Sequence, residues 1–157
     1  MAECIIRIAV ESDVPALESV ARSAIATLRK IYRPTAKAIA RKRTIVPELQ
    51  QLVAVLDGQV VGSVEYRIKG DRVHFLSLFV HEDYRRQGIG KELLAELEGV
   101  GRWLGAQRLS ACTVKETGNP EIFRHMGFIV LSEEPTDLYQ SDKFDRLHES
   151  YMERPIE

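Results

Sequence analysis

The sequence predicts an α/β (α+β) fold built on a mixed, mostly antiparallel central sheet of about six to seven strands, flanked by about four helices. Three observations lead to this prediction. Two β-branched runs around Asp57-Gly58 are typical of a hairpin, the apolar run Val73–Val80 is followed by a glycine turn and a helix, and after Gly88 helical and extended segments alternate. Hairpins join antiparallel strands whereas helical connections can join parallel ones, so a mixed sheet is expected.

The chain begins with a strand and a helix. Ile5–Val10 is a short apolar run that fits a first strand, and Ser12 and Asp13 then offer capping side chains for a helix. The apolar residues that follow recur at spacings of three and four: Val14, Leu17, Ala21, Ala24, Leu28 and Ile31. Pro34 ends this helix, and we expect a second, weaker helical segment within Thr35–Val46.

Two turns then link three extended segments. Leu52–Leu56 and Val60–Ile68 flank Asp57-Gly58, which is a favoured two-residue hairpin turn. Lys69-Gly70-Asp71 leads into Val73–Val80, where apolar side chains occupy both alternating faces. This pattern indicates a central strand that is covered on both sides.

Helices and strands alternate in the rest of the chain. From Ile89 the apolar residues recur with a helical period: Ile89, Leu93, Leu97, Val100 and Leu104. Asn119 is expected to cap a short helix, Pro120–Met126, which Gly127 ends. The other predicted segments are a strand at Arg108–Val114, a strand at Phe128–Leu131, a loop at Pro135–Asp142 and a last strand between Phe144 and Met152.

Length and composition bound the class of protein. The 157 residues are 45% apolar and 29% charged, an ordinary globular composition, so we expect one domain over residues 1–157. The sequence starts without a basic segment and long apolar run, and no stretch approaches a membrane span, so we expect a cytoplasmic protein. Cys4 and Cys112 lack metal-ligand spacing and are too few for a disulfide framework, so both are expected to be small buried residues in strands.

The net charge of −1 gives no reason to expect nucleic-acid binding, but the charges are unevenly distributed. Seven basic residues and no acidic one lie between Arg29 and Arg43, whereas from Glu133 onward acidic residues outnumber basic ones eight to three. We favour solvated faces as the interpretation of both runs. The alternative is that they tune the charge of the acceptor that the protein binds.

The glycine turn before the third helix has the features of a phosphate site. A helix that starts after Gly88 and Gly90 leaves its first N–H groups unpaired and the positive end of its dipole at the turn. Arg85, Arg86 and Lys91 add positive charge. The spacing excludes a Walker loop, which needs glycine where Arg85 stands, and a dinucleotide fingerprint, which needs glycine or alanine at position 93.

The segment Arg85-x-x-Gly88-x-Gly90, directly after a hydrophobic strand, resembles the acetyl-CoA signature of the GCN5-related N-acetyltransferase (GNAT) superfamily. The later segment Phe123–Phe128 is similar to the family's Tyr-x-x-x-Gly-Phe element. With the helix after the loop, four elements in the family's order carry the resemblance over most of the chain. It implies a GNAT-like domain that moves an acetyl group from acetyl-CoA to a primary amine by direct transfer.

The resemblance also implies which residues bind coenzyme A. The backbone of Phe79 and Val80 would bond the pantetheine arm, with the Val80 N–H aimed at the acetyl carbonyl. Loss of such an interaction costs about 3 kcal/mol in other acyl-transfer enzymes. The loop would hold the pyrophosphate. The full set of expected cofactor-binding residues is Leu78, Phe79, Val80, Arg85, Arg86, Gln87, Gly88, Ile89, Gly90, Lys91, Asn119 and Phe123.

Direct transfer requires an unprotonated amine. A lysine-like amine with a pKa near ~10.4 needs about 4 to 5 kcal/mol to reach its neutral form at neutral pH, unless a base removes the proton. His74 is the first candidate, because members of the resembled family carry a catalytic glutamate or histidine at its offset from Val80, and because histidine titrates near ~6.5. Glu65, on the preceding strand, is the second. For each, an ordinary surface position on a strand is the alternative.

The chain departs from the family at the general acid. Phe123 occupies the position that usually bears a tyrosine, and phenylalanine cannot donate a proton to the departing thiolate. Three explanations remain open: another donor among Tyr84, Tyr139 and Tyr151, release of the thiolate to water, or a non-catalytic or weakly active acyl-CoA-binding module. We favour release to water, because a coenzyme A thiolate is a tolerable leaving group. Asn119 lies closer to Phe123 than the family's asparagine does, so a helix cap is its first interpretation and a cofactor contact its second.

The segments expected to decide acceptor specificity carry no recognised motif: Ile25–Val46, Lys69–Asp71 and Pro135–Asp142. Protein N-termini, lysine side chains, polyamines and small drug-like amines therefore all fit as acceptors. We expect no metal, nucleic-acid or membrane partner, and the resemblance leaves a homodimer open.

Overall fold

A computed structural model describes residues 3–42 and 49–157 of the chain. Its strands are β1 (Cys4–Ile8), β2 (Arg33–Pro34), β3 (Gln50–Leu56), β4 (Gln59–Lys69), β5 (Arg72–Val80), β6 (Arg108–Val114), β7 (Ile129–Thr136), β8 (Tyr139–Gln140) and β9 (Leu147–Pro155). Its α-helices are α1 (Val14–Leu28), α2 (Ala36–Lys42), α3 (Ile89–Leu104) and α4 (Asn119–His125).

In the described ranges, seven strands belong to one sheet, and β2 and β8 pair with each other. The predicted fold class, a mixed sheet with about four helices, is confirmed. The chain divides into two compact units. Of the described residues, the first unit comprises 3–26, 49–109 and 155–157, and the second comprises 27–42 and 110–154.

The first unit contains four consecutive antiparallel strands in the order β1-β3-β4-β5. The predicted hairpin between β3 and β4 is confirmed, because Asp57 and Gly58 both have positive φ, 51° and 78°, as a two-residue type I′ turn requires. Helix α3 packs on these strands and buries Leu93, Leu94 and Leu97 completely or nearly so. This packing fixes the start of α3 relative to the end of β5.

Asp13 shapes the chain before α1. Its carboxylate accepts two hydrogen bonds from Arg7, at 2.8 and 2.9 Å, and one from the backbone N–H of Val10, at 2.8 Å. These hydrogen bonds lower the pKa of Asp13 to about 2, with the larger effect from Arg7 and the smaller one from the Val10 N–H. The cap expected at Ser12 and Asp13 is therefore replaced by a single 3-10 turn over Glu11–Asp13.

In the second unit, β6, β9 and β7 are neighbours in that order, and β7 runs antiparallel to β9. Strand β2 pairs with β8, with Pro34 opposite Tyr139. The loop predicted at Pro135–Asp142 is therefore wrong in two places: β7 continues to Thr136 opposite Leu147, and β8 lies inside the predicted loop. Pairing with distant segments satisfies this backbone, and local sequence does not reveal such partners.

Three further predictions need correction or limits. Asn119 is the first residue of α4 and Gly118 is its N-cap, at φ 81°, because the Thr117 hydroxyl accepts the Asn119 N–H at 3.1 Å. Cys112 is exposed rather than buried. The predicted helix in Thr35–Val46 is confirmed as α2 up to Lys42, and residues 43–48 lie outside the described part.

Within residues 3–42 and 49–157, no helix is both long and apolar enough to cross a bilayer.

Candidate active site

The start of α3 has the features of an anion-binding site. Gly88 is the N-cap, at φ 80°, and no side chain caps the helix there. The Glu92 N–H bonds to the Gly88 carbonyl at 3.0 Å, so the N–H groups that precede it have no acceptor within the helix. Because α3 is 16 residues long, the positive end of its dipole coincides with these N–H groups.

The two glycines keep this helix start accessible. A Cβ built at Gly88 or at Gly90 would meet no heavy atom within 4 Å, so the space beside the backbone is open to a bound group. Ile89, between them, is 3% exposed and packs in the core. Of the predicted binding residues, Ile89 therefore offers its backbone and not its side chain.

Positive charge surrounds the helix start. Arg85, Arg86 and Lys91 are exposed, as is Gln87. The Arg85 guanidinium donates from Nε to the carbonyl of Val80 at 3.3 Å, which holds the loop against the end of β5. The structure thus brings together all seven predicted residues from Arg85 to Lys91, and the site fits a diphosphate.

A β-bulge interrupts β5 just before its last residues. Glu65 pairs with Leu76 and Ser63 pairs with Phe79, so Ser77 and Leu78 together oppose one residue of β4. Ser77 has φ 53°, a left-handed conformation that costs about 1–3 kcal/mol outside glycine. This bulge was not predicted from the sequence, because no glycine or proline marks it in the apolar strand.

The bulge is followed by a strand end at which Val80 is directed away from β4. The His81 N–H donates to the Val61 carbonyl at 2.8 Å, and antiparallel pairs alternate between hydrogen-bonded and non-hydrogen-bonded. Ser63 and Phe79 therefore exchange hydrogen bonds, whereas Gly62 and Val80 do not. The Val80 N–H and carbonyl point to the side of β5 opposite β4, and the Phe79 amide is used within the sheet.

Gly62 was also missed as a site residue. A Cβ at this position would lie 3.1 Å from the Phe79 carbonyl oxygen and 3.1 Å from Ile89, so glycine lets β4, β5 and α3 approach closely. A glycine inside a β-branched strand is the signal that would have identified it.

His74 and Glu65, the two candidate bases, share one face of the β4–β5 pair. His74 is opposite Arg67, and Glu65 is two residues before Arg67. Burial, followed by the charges of Arg67, Lys69 and Arg72, lowers the pKa of His74 to about 4. The expectation that His74 titrates near neutral pH is therefore not met: it is neutral at pH 7 and a weak proton acceptor.

The remaining predicted residues lie in the second unit. Asn119 and Phe123 are on α4, and the Phe123 ring packs edge-to-face against Phe128 at 5.4 Å between centroids. Of the tyrosines considered as proton donors, Tyr151 donates its hydroxyl to Glu153 at 2.6 Å, and burial raises the pKa of Tyr139.

Tyr84, the third tyrosine considered as a proton donor, lies in the first unit, where its hydroxyl donates to Gln59 at 3.1 Å.

The sequence itself decides the family. A model of the "Acetyltransferase (GNAT) family" matches residues 17–128, more than half of the chain. The protein belongs to the GNAT acetyltransferase family. The predicted recognition is confirmed, and with it the enzyme class and acetyl-CoA as the acetyl donor that GNAT acetyltransferases use.

Solved structures of GNAT acetyltransferases are similar over nearly the whole chain. The ribosomal-protein-S18-alanine N-acetyltransferase from Escherichia coli is 17% identical, with TM-score 0.76 over 98% of this chain and 94% of that chain. The PaiA N-acetyltransferase from Thermoplasma acidophilum, solved in complex with coenzyme A, is 22% identical, with TM-score 0.73 over 98% and 99%. The ribosomal-protein-alanine N-acetyltransferase from Brucella melitensis is 25% identical, with TM-score 0.71 over 96% and 99%. A comparison with curated protein sequences gives no match.

In this GNAT acetyltransferase, the helix start and the strand before it supply different contacts. The N–H groups of α3 and the cations from Arg85 to Lys91 can neutralise a diphosphate. The N–H of Val80, which points away from β4, can donate to an oxygen that becomes negative during acyl transfer. The positions of both groups of donors depend on backbone conformation. The bulge at Ser77 orients the end of β5, and the left-handed conformation of Gly88 orients the start of α3.

Proposed function

We propose that this GNAT acetyltransferase transfers the acetyl group of acetyl-CoA directly to a primary amine of its acceptor. The observation that carries the proposal is the uncapped, glycine-opened start of α3 immediately after the bulged strand β5. The coenzyme A complex of the PaiA enzyme, which shares this fold, supports it. Leu78 to Val80 and Arg85 to Lys91 are the proposed cofactor contacts in the first unit, with Asn119 and Phe123 proposed in the second.

In the transfer, the amine nitrogen forms a bond to the acetyl carbon while the bond from that carbon to sulfur breaks. Negative charge develops on the carbonyl oxygen, and the Val80 N–H is the donor proposed to stabilise it. An interaction of this kind contributes about 3 kcal/mol to the transition state in other acyl-transfer enzymes. The amine loses one proton, and the sulfur leaves as the thiolate of coenzyme A.

The proton acceptor is proposed to be Glu65 or His74. With a pKa of about 4, His74 is neutral over the whole physiological range, so it is available as a base throughout that range but attracts a proton weakly. Replacing the true base should lower kcat by about 10²- to 10⁴-fold. Glu65→Gln and His74→Gln, compared with the exposed Glu82→Gln as control, assign the role; two unaffected variants would leave proton removal to water.

Because residue 123 is phenylalanine, the position that usually bears a tyrosine in this family has no proton to donate to the thiolate. We propose that the thiolate leaves to water, since coenzyme A thiolate is a tolerable leaving group near neutral pH. Tyr84 and Tyr151 already donate their hydroxyls to Gln59 and Glu153, which makes both less suited to the role.

The acceptor class includes the amino termini of proteins. The enzymes from Escherichia coli and Brucella melitensis act on alanine of ribosomal proteins, as their names state. An amino terminus has a lower pKa, near ~7.7, than a lysine side chain, so less free energy is needed to deprotonate it. Peptides that begin with alanine belong in the test beside lysine peptides and small amines.

The decisive experiment is incubation with acetyl-CoA and a panel of amines, with thiol release and product mass measured. We expect thiol release that depends on the amine, and an acetylated product. Thermal stabilisation by coenzyme A without turnover on any amine would favour the alternative function, a non-catalytic acyl-CoA-binding module. That alternative was considered because Phe123 stands where the family usually has a tyrosine. Neither stabilisation nor turnover would overturn the proposal.

A further inference from the structure

One face of the β4–β5 hairpin carries a cluster of positive charge. The register places Arg67 on β4 opposite His74 on β5, and two residues further along β4 it places Lys69 opposite Arg72. Because the side chains of a strand alternate between its two faces, all four project from the same face. We call Arg67, Lys69 and Arg72 the hairpin cations. They lie in the first unit, on the same strand pair as Val80.

The acidic groups nearby compensate the hairpin cations only in part. Asp71 lies 3.5 Å from Arg72, whereas Arg67 and Lys69 form no ion pair with any residue that the structure describes. Glu65 projects from the same face two residues before Arg67 and is not ion-paired with it. Lys69 and Arg72 repel each other, because the Cβ atoms of directly opposite residues are only about 4.5–5.5 Å apart. The face therefore has an excess of positive charge.

The Arg67 guanidinium also has a donor without an acceptor. Its Nε is buried, and no acceptor for it lies within the described ranges 3–42 and 49–157. Leaving a buried N–H unpaired costs free energy, and native structures satisfy nearly all such groups. A guanidinium binds a carboxylate through two parallel hydrogen bonds. A carboxylate thus matches both the charge and the donor geometry of Arg67.

The same cations act on His74. Burial, followed by the charges of the three hairpin cations, lowers the pKa of His74 to about 4. These charges add to burial in disfavouring a further positive charge on this face. For the same reason they attract an anion.

This face also carries both proposed bases and leads to Val80. Glu65 and His74 project from it, so an amine that gives its proton to either of them lies over this face. His74 is six residues before Val80, and one of the six is the extra residue of the bulge. At about 3.3 Å per residue, the distance along β5 from Val80 to the level of Arg67 is about 17 Å. One strand pair fixes this distance.

We propose that the hairpin cations bind a carboxylate of the acceptor, and that the acceptor is a polypeptide with an acidic side chain about five residues from the amino terminus that is acetylated. A separation of about 17 Å suits an extended peptide, which advances about 3.4 Å per residue. The inference rests on the proposed function for the acetylation of that amino terminus. A basic side chain at the same place is disfavoured, since the hairpin cations repel it.

Eight-residue peptides test the position of the charge. Each begins with alanine, ends in an amide and otherwise contains glycine and serine, with one aspartate, or asparagine as its neutral isostere, at the second, fifth or eighth position. At the fifth position we expect kcat/KM to be about fivefold higher with aspartate, and this ratio should shrink at high salt. Equal rates for aspartate and asparagine at every position, or a ratio as large at the second position, would overturn the inference.

Arg67→Gln and Lys69→Gln test the cations themselves. At the fifth position the aspartate-to-asparagine ratio should fall at least about threefold in Arg67→Gln and by less in Lys69→Gln, mainly through KM, with unchanged acetyl-CoA affinity. Arg102→Gln is the matched control, because Arg102 is exposed on α3. That helix contacts Val73, whose side chain projects from the opposite face of β5.

The ratio also distinguishes carboxylate binding from an effect on the base. If Arg67→Gln slowed both peptides equally and Lys69→Gln changed neither, Arg67 would act only through His74 and the inference would be wrong. A ratio that survives both variants, or that falls equally in Arg102→Gln, would contradict it as well.

Peptide binding without acetyl-CoA separates this inference from the proposed function. Fluorescence anisotropy of the same peptides, labelled at their carboxyl ends, should show about fivefold tighter binding with aspartate at the fifth position, and Arg67→Gln should remove the difference. If that result holds and no peptide is acetylated, the carboxylate site stands and the proposed function alone fails. Acetylation of peptides with no difference between aspartate and asparagine, in rate or in binding, overturns the inference alone.

Discussion

The loop that opens α3 and the open cavity of about 270 Å³ on one face of the β7–β9 pair are constructed differently. The loop presents backbone N–H groups and is shaped by conformations at Ser77 and Gly88. The cavity presents carboxylate side chains from β7 and β9. A backbone site suits a group that every substrate shares, such as the proposed diphosphate, whereas side chains can be exchanged without disturbing the fold. Sequence changes should therefore alter the loop region less readily than the cavity.

Among the changes in cofactor affinity, the largest is expected where the backbone forms the site. Gly88→Ala places a Cβ in the open space beside the helix start, at φ 80°, and should raise the Kd of acetyl-CoA at least about tenfold. Gly105→Ala is the control, since Gly105 has φ 77° at the other end of the same helix and also has open space. Both variants should lose similar stability, on the order of 1 kcal/mol. Equal acetyl-CoA affinity in the two would show that Gly88 has no role beyond its turn.

A smaller effect is expected from a single cation at the loop. Arg86→Gln should weaken coenzyme A binding about fivefold at low salt, with less loss at high salt, and should leave pantetheine, which has no phosphates, unaffected. Arg102→Gln serves as control, because Arg102 is exposed in the last turn of α3. Equal losses for coenzyme A and pantetheine would place Arg86 outside the diphosphate contacts.

His74 tests whether side chains also matter in the first unit. Its folded pKa of about 4 lies below the ordinary value, so between about pH 6.5 and 4 the unfolded chain binds a proton that the folded chain does not. The free energy of unfolding should therefore fall as pH decreases through this window. In urea titrations at pH 7 and 5, His74→Gln should lose less stability than the wild type, by on the order of 1 kcal/mol because the side chain is partly exposed.

The exposed His125→Gln is the control for the His74 experiment and should follow the wild type. If His74→Gln also follows the wild type, the burial and the three cations around His74 do not depress its pKa.

The smallest effect is expected on α4. Phe123→Tyr restores the hydroxyl of the family pattern, yet if the thiolate leaves to water the change in kcat should stay below about twofold. Steady-state kinetics on the best amine of the panel measures this. A rise of tenfold or more would show that departure of the thiolate limits the wild-type enzyme.

Much of the loop region could be predicted from the sequence, because its determinants are contiguous. The spacing Arg85-x-x-Gly88-x-Gly90, the apolar strand before it and the helical period after it all lie within one stretch of chain. At φ 80° glycine is strongly favoured, so the conformation at position 88 can be inferred from the residue type. Ser77 adopts φ 53° without any such mark, and the bulge became visible only with the pairing of β4 and β5.

The cavity could not be predicted, because its residues come from separate parts of the chain. Glu134 and Glu149 are brought opposite each other by the register of β7 and β9, and the end of β7, Pro135 and Thr136, was predicted as part of a loop. The pKa of His74 was misjudged for the same reason: it is lowered by burial and then by the charge of Arg67, which lies across from it on another strand. Local patterns define elements, but the electrostatics of a site depends on which elements pair.

The extra residue at Ser77 sets the orientation of everything that follows it in β5. If the same residues paired with β4 without the bulge, Leu78 would take the place of Phe79 opposite Ser63, and every later peptide group of β5 would turn through half a revolution. Phe79 would then direct its amide away from β4 in place of Val80. The bulge therefore decides which of these two amides is left out of the pairing with β4.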